Sequence, residues 1–126
     1  MTGHREKLLV WLGGSKKDLM ELPLELRKFF GHALDIAQRG EQHTAAKVLK
    51  GFGGAGVLEI VADDRAGTYR AVYTVKFSGM VFVLHVFQKK SRDGKSTPRM
   101  DMNLIRVRLA VAEKLAKEVR NEQTID

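Results

Sequence analysis

Between Val57 and Gln88 the chain passes through three apolar, β-branched runs in quick succession: Val57 to Ala62, Thr68 to Phe77, and Met80 to Gln88. Valine, isoleucine, tyrosine and phenylalanine at this density, broken by turn residues, fit strands rather than helices. The last two runs meet at Phe77-Ser78-Gly79-Met80, a two-residue hairpin turn in which Gly79 is free to take φ > 0. That turn predicts a register: Tyr73 against Leu84, Val75 against Phe82, Ala71 against Val86. These residues share a nearly all-apolar face that should pack on helices. The opposite face carries Arg70, Val72, Thr74 and Lys76 from one strand and Val83, His85, Phe87 and Lys89 from the other. Arg70 lies across from Phe87, with His85 and Lys89 on the diagonals. A one-residue slip or a bulge would reverse these assignments wherever it fell.

The rest of the chain supplies helices and one more strand. Lys7 to Leu12 reads as a first strand ended by Gly13 and Gly14. Ser15 with Asp18 has the spacing of a capping box, so a helix starts there. Pro23 marks the first turn of a second helix, in which Leu26, Phe29, Phe30, Ala33, Leu34 and Ala37 recur at helical spacing. Gly40 is its C-cap, and Thr44 to Leu49 reads as a helical turn. Asp101 to Arg120 forms a last helix with Leu104, Val107, Val111, Leu115 and Val119 on one stripe. No repeat or linker divides the chain. The expectation is one α+β domain over residues 1–126, frayed at 1–6 and 121–126. In it a small antiparallel twisted sheet carries an N-terminal helical pair and a C-terminal helix on one face.

Charge points to the partner. Lysines and arginines number 22 against 15 acidic residues, a net charge of +7. Such an excess suits nucleic acid, an acidic protein or a membrane surface, or serves solubility alone. The absence of cysteine excludes disulfides and thiolate metal sites and makes a reducing cytoplasm the default. The longest apolar run is too short to span a bilayer, and MTGHREK begins no secretory signal, so no membrane partner is expected.

The basic residues concentrate after the hairpin. Lys89, Lys90, Arg92, Lys95 and Arg99 follow the last strand closely. Arg70 and Lys89 beside Phe87 are what a nucleotide site uses, cations for phosphate and a ring for stacking. Each has a plainer reading. Arg70 could instead pair with a carboxylate such as Glu59 on the neighbouring strand, or do both, with Glu59 orienting the guanidinium. Lys89 and Lys90 also suit a solvated strand end, and parity assigns only Lys89 to the Arg70 face. His85 is either a structural residue or a general acid–base. GFGGAG satisfies G-x-G-x-x-G at Gly51, Gly53 and Gly56, yet a strand must precede that motif and a helix follow it, and here the order is reversed. It reads as a connector, with Lys47 and Lys50 just before it as further phosphate contacts. Asp63 and Asp64 diverge on a strand, and the histidines lack ligand spacing, so neither metal nor cofactor is expected.

Taken together, KVLKGFGGAGVLEI, TYRAVYTV, VFVLHVFQKKS and the TPRMDMNLIRVRL helix resemble the phage-derived HigB-like branch of the RelE/ParE toxins over roughly residues 8 to 115. The resemblance implies a RelE-like fold and the toxin of a type II toxin–antitoxin pair. It implies a helix-turn-helix, HigA-like antitoxin partner in a hetero-oligomer, and a ribosome-dependent, metal-independent mRNA endonuclease. The arginine of the family's Tyr-Arg strand is Arg70, and the basic residue ending its last strand is Lys89. Where RelE has two lysines on the preceding strand this chain has Glu59 and Val61, and no tyrosine follows Tyr73.

The expected site is therefore Arg70, Lys89 and His85 for catalysis, with Lys50, Phe87, Lys90, Arg92 and Lys95 for RNA. Arg70 would clamp the phosphate, Lys89 would stabilise charge or supply a proton, and His85, if exposed, would take the 2′-OH proton. Arg70→Ala should then cost more activity than stability. The alternatives are a non-catalytic binder, such as a ParE-like gyrase inhibitor or a basic RNA-binding module, and an antitoxin-binding scaffold without toxicity.

Overall fold

The computed structural model describes residues 6–54, 56–89 and 97–124. In chain order they form β1 (Leu8–Trp11), α1 (Ser15–Met20), α2 (Leu24–Gln38), β2 (Lys47–Val48), β3 (Val57–Asp64), β4 (Gly67–Thr74), β5 (Met80–Lys89) and α3 (Arg99–Thr124). The strands make one sheet in the order β1-β5-β4-β3-β2. It is antiparallel from β2 to β5, and β1 adds to it parallel to β5. Residues 44–49, expected as a helical turn, instead supply β2. Two residues pair with β3 (Lys47↔Glu59, Val48↔Leu58), and Leu49 N–H donates to the Val57 carbonyl at 2.9 Å. A segment this short gains more from existing ladder partners than from nucleating a helix of its own.

The hairpin turn forms as its sequence predicts: Met80 N–H donates to the Phe77 carbonyl at 3.2 Å and Gly79 sits at φ 79°. The register beyond it is split. From Thr68↔Lys89 to Val72↔His85 the pairing is the expected one, but Tyr73 then pairs with Val83 and Thr74 with Phe82. Leu84 is the extra residue of a β-bulge. The bulge moves Val83 to the face of Ala71 and Tyr73, and Phe82 and Leu84 to the face of Val72, the reverse of the predicted assignment. Contacts from distant segments hold it. The Val83 carbonyl accepts from Leu12 N–H at 3.0 Å and from Ser15 Oγ at 3.3 Å, and the Leu84 carbonyl accepts from Arg108 Nη1 at 2.8 Å. Ser15 is thus spent on the bulge, and no side chain caps α1. Gly13, at φ 55°, leaves room for the Arg108 guanidinium, which a Cβ there would overlap.

Both sheet faces are apolar, so both are covered, and the helices do not share one side as expected. Leu58, Ile60, Tyr69, Ala71 and Val86 pack with Leu26, Phe30, Ala33 and Leu34 of α2. On the other face Val57, Val72, Phe82 and Leu84 pack under α3. The buried stripe of α3 is Met102, Ile105, Leu109, Ala112, Leu115 and Val119. Val107 and Val111, predicted to face the core, are exposed. Periodicity alone did not choose between the helix's two apolar stripes. The helix also continues to Thr124, through part of the tail expected to fray. Gly40 terminates α2 as predicted, at φ 87°, with Glu41 N–H donating back to the Ile36 carbonyl at 3.1 Å.

One core residue gives a clean prediction. The Tyr73 hydroxyl is fully buried with no hydrogen-bond partner among the described residues, and burial pushes its pKa up to about 12. The raised folded-state value favours the protonated phenol. Its contribution is complete below the ordinary tyrosine pKa of about 10 and is lost as pH rises through about 12. Tyr73→Phe should flatten that part of the stability–pH curve. Near pH 7 it should be neutral or slightly stabilising, because a buried unsatisfied hydroxyl is removed. Urea melts at pH 7 and above pH 10 check both arms.

Candidate active site

β4 and β5 bring Arg70, His85, Phe87 and Lys89 to the face that α3 covers. Arg70 pairs with Phe87, Val72 with His85 and Thr68 with Lys89, all on the regular side of the bulge. Parity therefore predicts their common face correctly even though it fails at Leu84, the residue next to His85.

Their surroundings differ from those of an open phosphate site. Arg70 is 3% exposed, and its Nη1 lies 2.7 Å from Glu59 Oε2. Glu59 is on β3, two residues from Val61, the direct partner of Arg70. Thr97 completes a triangle: its Oγ1 accepts from Arg70 Nη1 at 3.1 Å and donates to Glu59 Oε2 at 2.9 Å. Pairing with Glu59, the plainer reading of Arg70, is thus realised. Lys89 is 5% exposed on the same face.

His85 is locked in a similar way. Its Nε2 lies 2.7 Å from Asp101 Oδ1 in the first turn of α3, and its ring stacks on Phe87 at 4.4 Å between centroids. A carboxylate can only accept here, so Nε2–H donates to Asp101, and in the tautomer that does so Nδ1 is the ring's other polar atom. That Nδ1 is buried without a hydrogen-bond partner among the described residues. In this arrangement Nε2 is engaged by Asp101 and Nδ1 is turned into the interior.

The other expected contacts scatter. Lys50 is exposed in the β2–β3 connection, which leans on α3 through Phe52, whose ring lies 5.5 Å under the Arg106 guanidinium. Gly51 and Gly53 take φ of 105° and 72° in that connection, in keeping with its reading as a connector. Lys90, Arg92 and Lys95 lie outside the described residues. Glu59 was foreseen as the partner of Arg70, but Thr97 and Asp101 were not. Asp101 carries a local signal only for a helix start, and nothing near it points to a histidine sixteen positions earlier.

An open cleft of about 900 Å3 adjoins the group. It follows the half of β5 beyond Val83, where the pairing with β1 has ended. His85, Phe87 and Gln88 line one side, Met100 and Asp101 another, and Glu21 a third. Asp18, Glu21 and Asp101 place carboxylates along it, and Arg99 adds a cation. Among the described residues no three histidine, aspartate or glutamate side chains gather at one point. No helix among the described residues is long and apolar enough to cross a membrane.

The family described as "Phage derived protein Gp49-like" matches residues 17–110. No curated protein matches the sequence. Among solved structures, a mutant of the Escherichia coli toxin RelE in the free state aligns with 71% of this chain and 90% of its own, at 19% identity and a TM-score of 0.50. The toxin–antitoxin complex RelBE2 from Mycobacterium tuberculosis aligns with 68% of this chain and 94% of its own, at 21% identity and a TM-score of 0.45. The fold is RelE-like: a five-stranded twisted sheet flanked by helices.

Proposed function

Because the chain belongs to the phage-derived Gp49-like family and is folded like RelE, we propose that it is the toxin of a type II toxin–antitoxin pair, an endoribonuclease that cuts mRNA on the ribosome without a metal ion. The observation that carries this reading is the convergence of Arg70, Lys89, His85 and Phe87 on one sheet face of a chain with net charge +7. The mechanism asks little of the protein. The 2′-OH attacks the adjacent phosphorus, the P–O5′ bond breaks, and the products are a 2′,3′-cyclic phosphate and a 5′-OH. Arg70 and Lys89 stabilise the extra charge on the phosphoryl oxygens and hold the in-line geometry. Phe87 offers a stacking surface. Once Asp101 has left and the ring proton has moved through solvent from Nε2 to Nδ1, His85 Nε2 takes the 2′-OH proton, and the leaving oxygen is protonated by ribosomal groups or solvent. The partner that silences the protein is a helix-turn-helix antitoxin of the HigA kind, and both act in the cytoplasm.

The test is primer extension on a reporter mRNA given the purified protein, with and without translating ribosomes. Cuts inside the reading frame that require ribosomes support the proposal. An uncut message in both reactions sinks it.

A second reading has its own support. An arginine closed off with a glutamate at 4% and 13% side-chain exposure is also what a structural ion pair looks like. On that reading the protein binds rather than cuts, as a ParE-like gyrase inhibitor does. Inhibition of gyrase supercoiling by a protein that leaves mRNA intact would favour it.

A further inference from the structure

The polar groups of the site face are tied to one short segment, the start of α3. Thr97, just before the helix, bonds both Arg70 and Glu59, and Asp101, in the first turn, bonds His85. These contacts add to the apolar seam that Met102, Ile105 and Leu109 make with the sheet. That seam begins only at Met102, whereas Met100, between the two polar anchors, is 84% exposed. Within 97–101 the side-chain bonds to the site come from Thr97 and Asp101, with half-buried Pro98 between them, whereas the later turns of α3 are held by the apolar seam.

We propose that residues 97–101 form an autoinhibitory strap, which must lift from the sheet before RNA reaches Arg70. The proposal rests on the nuclease reading above and adds its regulation. In the strapped state Arg70 is spent on Glu59 and Thr97, and His85 on Asp101. Lifting the strap removes Thr97 from the guanidinium and Asp101 from the imidazole in one movement, while Ile105 and the later turns stay packed. Segments held by few apolar contacts open locally at a fraction of the global unfolding free energy. Loss of either anchor should shift that opening equilibrium about tenfold, the value of one charge-assisted hydrogen bond.

The experiment reads the strap without reading activity. Carbethoxylation of His85, followed by mass spectrometry against exposed His32 as internal standard, reports release of Nε2. Wild type is compared with Asp101→Ala, Asp101→Asn and Thr97→Val. Asp101→Ala should label about tenfold faster at His85, Asp101→Asn should stay near wild type because it keeps an acceptor, and Thr97→Val should also accelerate. The wild type supplies a control immune to misfolded variants. If the strap lifts locally, His85 labelling rises with urea much less steeply than global unfolding does. A slope equal to the global one means that His85 is reached only by unfolding, and overturns the strap.

Binding of a fluorescein-labelled single-stranded RNA then separates the two claims. Faster labelling with tighter RNA binding supports both. Faster labelling without RNA binding keeps the strap and removes the nuclease reading. RNA binding equally tight in wild type and Asp101→Ala, with His85 protected in the wild type, removes the strap and leaves the nuclease reading intact.

Discussion

Arg70→Ala is expected to destabilise the fold by about 3–5 kcal/mol, because it strands the Glu59 carboxylate in a nearly closed site. Arg70 is 3% exposed, and Glu59 loses its 2.7 Å partner and keeps the Thr97 hydroxyl. A domain of this size has about 5–15 kcal/mol in total, so the variant should be partly unfolded at body temperature. Burial thus reverses what the sequence suggests, that the substitution would cost more activity than stability. Removing both charges tells the two effects apart. Glu59→Leu/Arg70→Met replaces a buried pair with apolar groups of similar size and should be neutral or stabilising by about 1–4 kcal/mol. Urea melts of the three proteins check this. A folded Arg70→Ala of unchanged midpoint would show that the ion pair is more solvated than its geometry implies.

Lys89→Met is expected to lower ribosome-dependent cleavage by about 10²–10³-fold, the usual effect of deleting one group that stabilises transition-state charge. Methionine keeps much of the length and apolar body of the lysine and removes only the ammonium. Lys89 ends β5 opposite Thr68 on the Arg70 face, so its charge lies close to where a phosphate neutralised by Arg70 would sit. Glu59→Leu/Arg70→Met should lose at least as much while staying folded. Cleavage is compared at equal folded fraction, fixed by circular dichroism. A Lys89→Met protein that cuts like the wild type would confine Lys89 to a structural role at the strand end.

The hairpin and the membership of its cationic face were legible because they depend on local features. Gly79 allows the turn, and strict alternation from Thr68 to Val72 does the rest. The bulge at Leu84 was not legible. No glycine marks it, and the groups that satisfy its carbonyls, Ser15 and Arg108, stand 68 and 24 positions from their acceptors. The side of the sheet that α3 covers follows from that bulge, since Phe82 and Leu84 turn toward the helix only because of it. Asp101 and Thr97 escaped for a similar reason. Their partners are on strands far back in the chain, and each residue alone reads as an ordinary helix start. Burial of Arg70 was foreseen only as an alternative, through Glu59, and became decisive once α3 lay over that face.

The most direct test of the central claim is a map of mRNA 5′ ends in cells that express this protein alone. Wild type is run beside Lys89→Met and Glu59→Leu/Arg70→Met. The nuclease reading predicts new 5′ ends inside translated frames for the wild type, largely absent from both variants at equal protein level. Growth arrest without new 5′ ends, or cuts that persist in both variants, would contradict it.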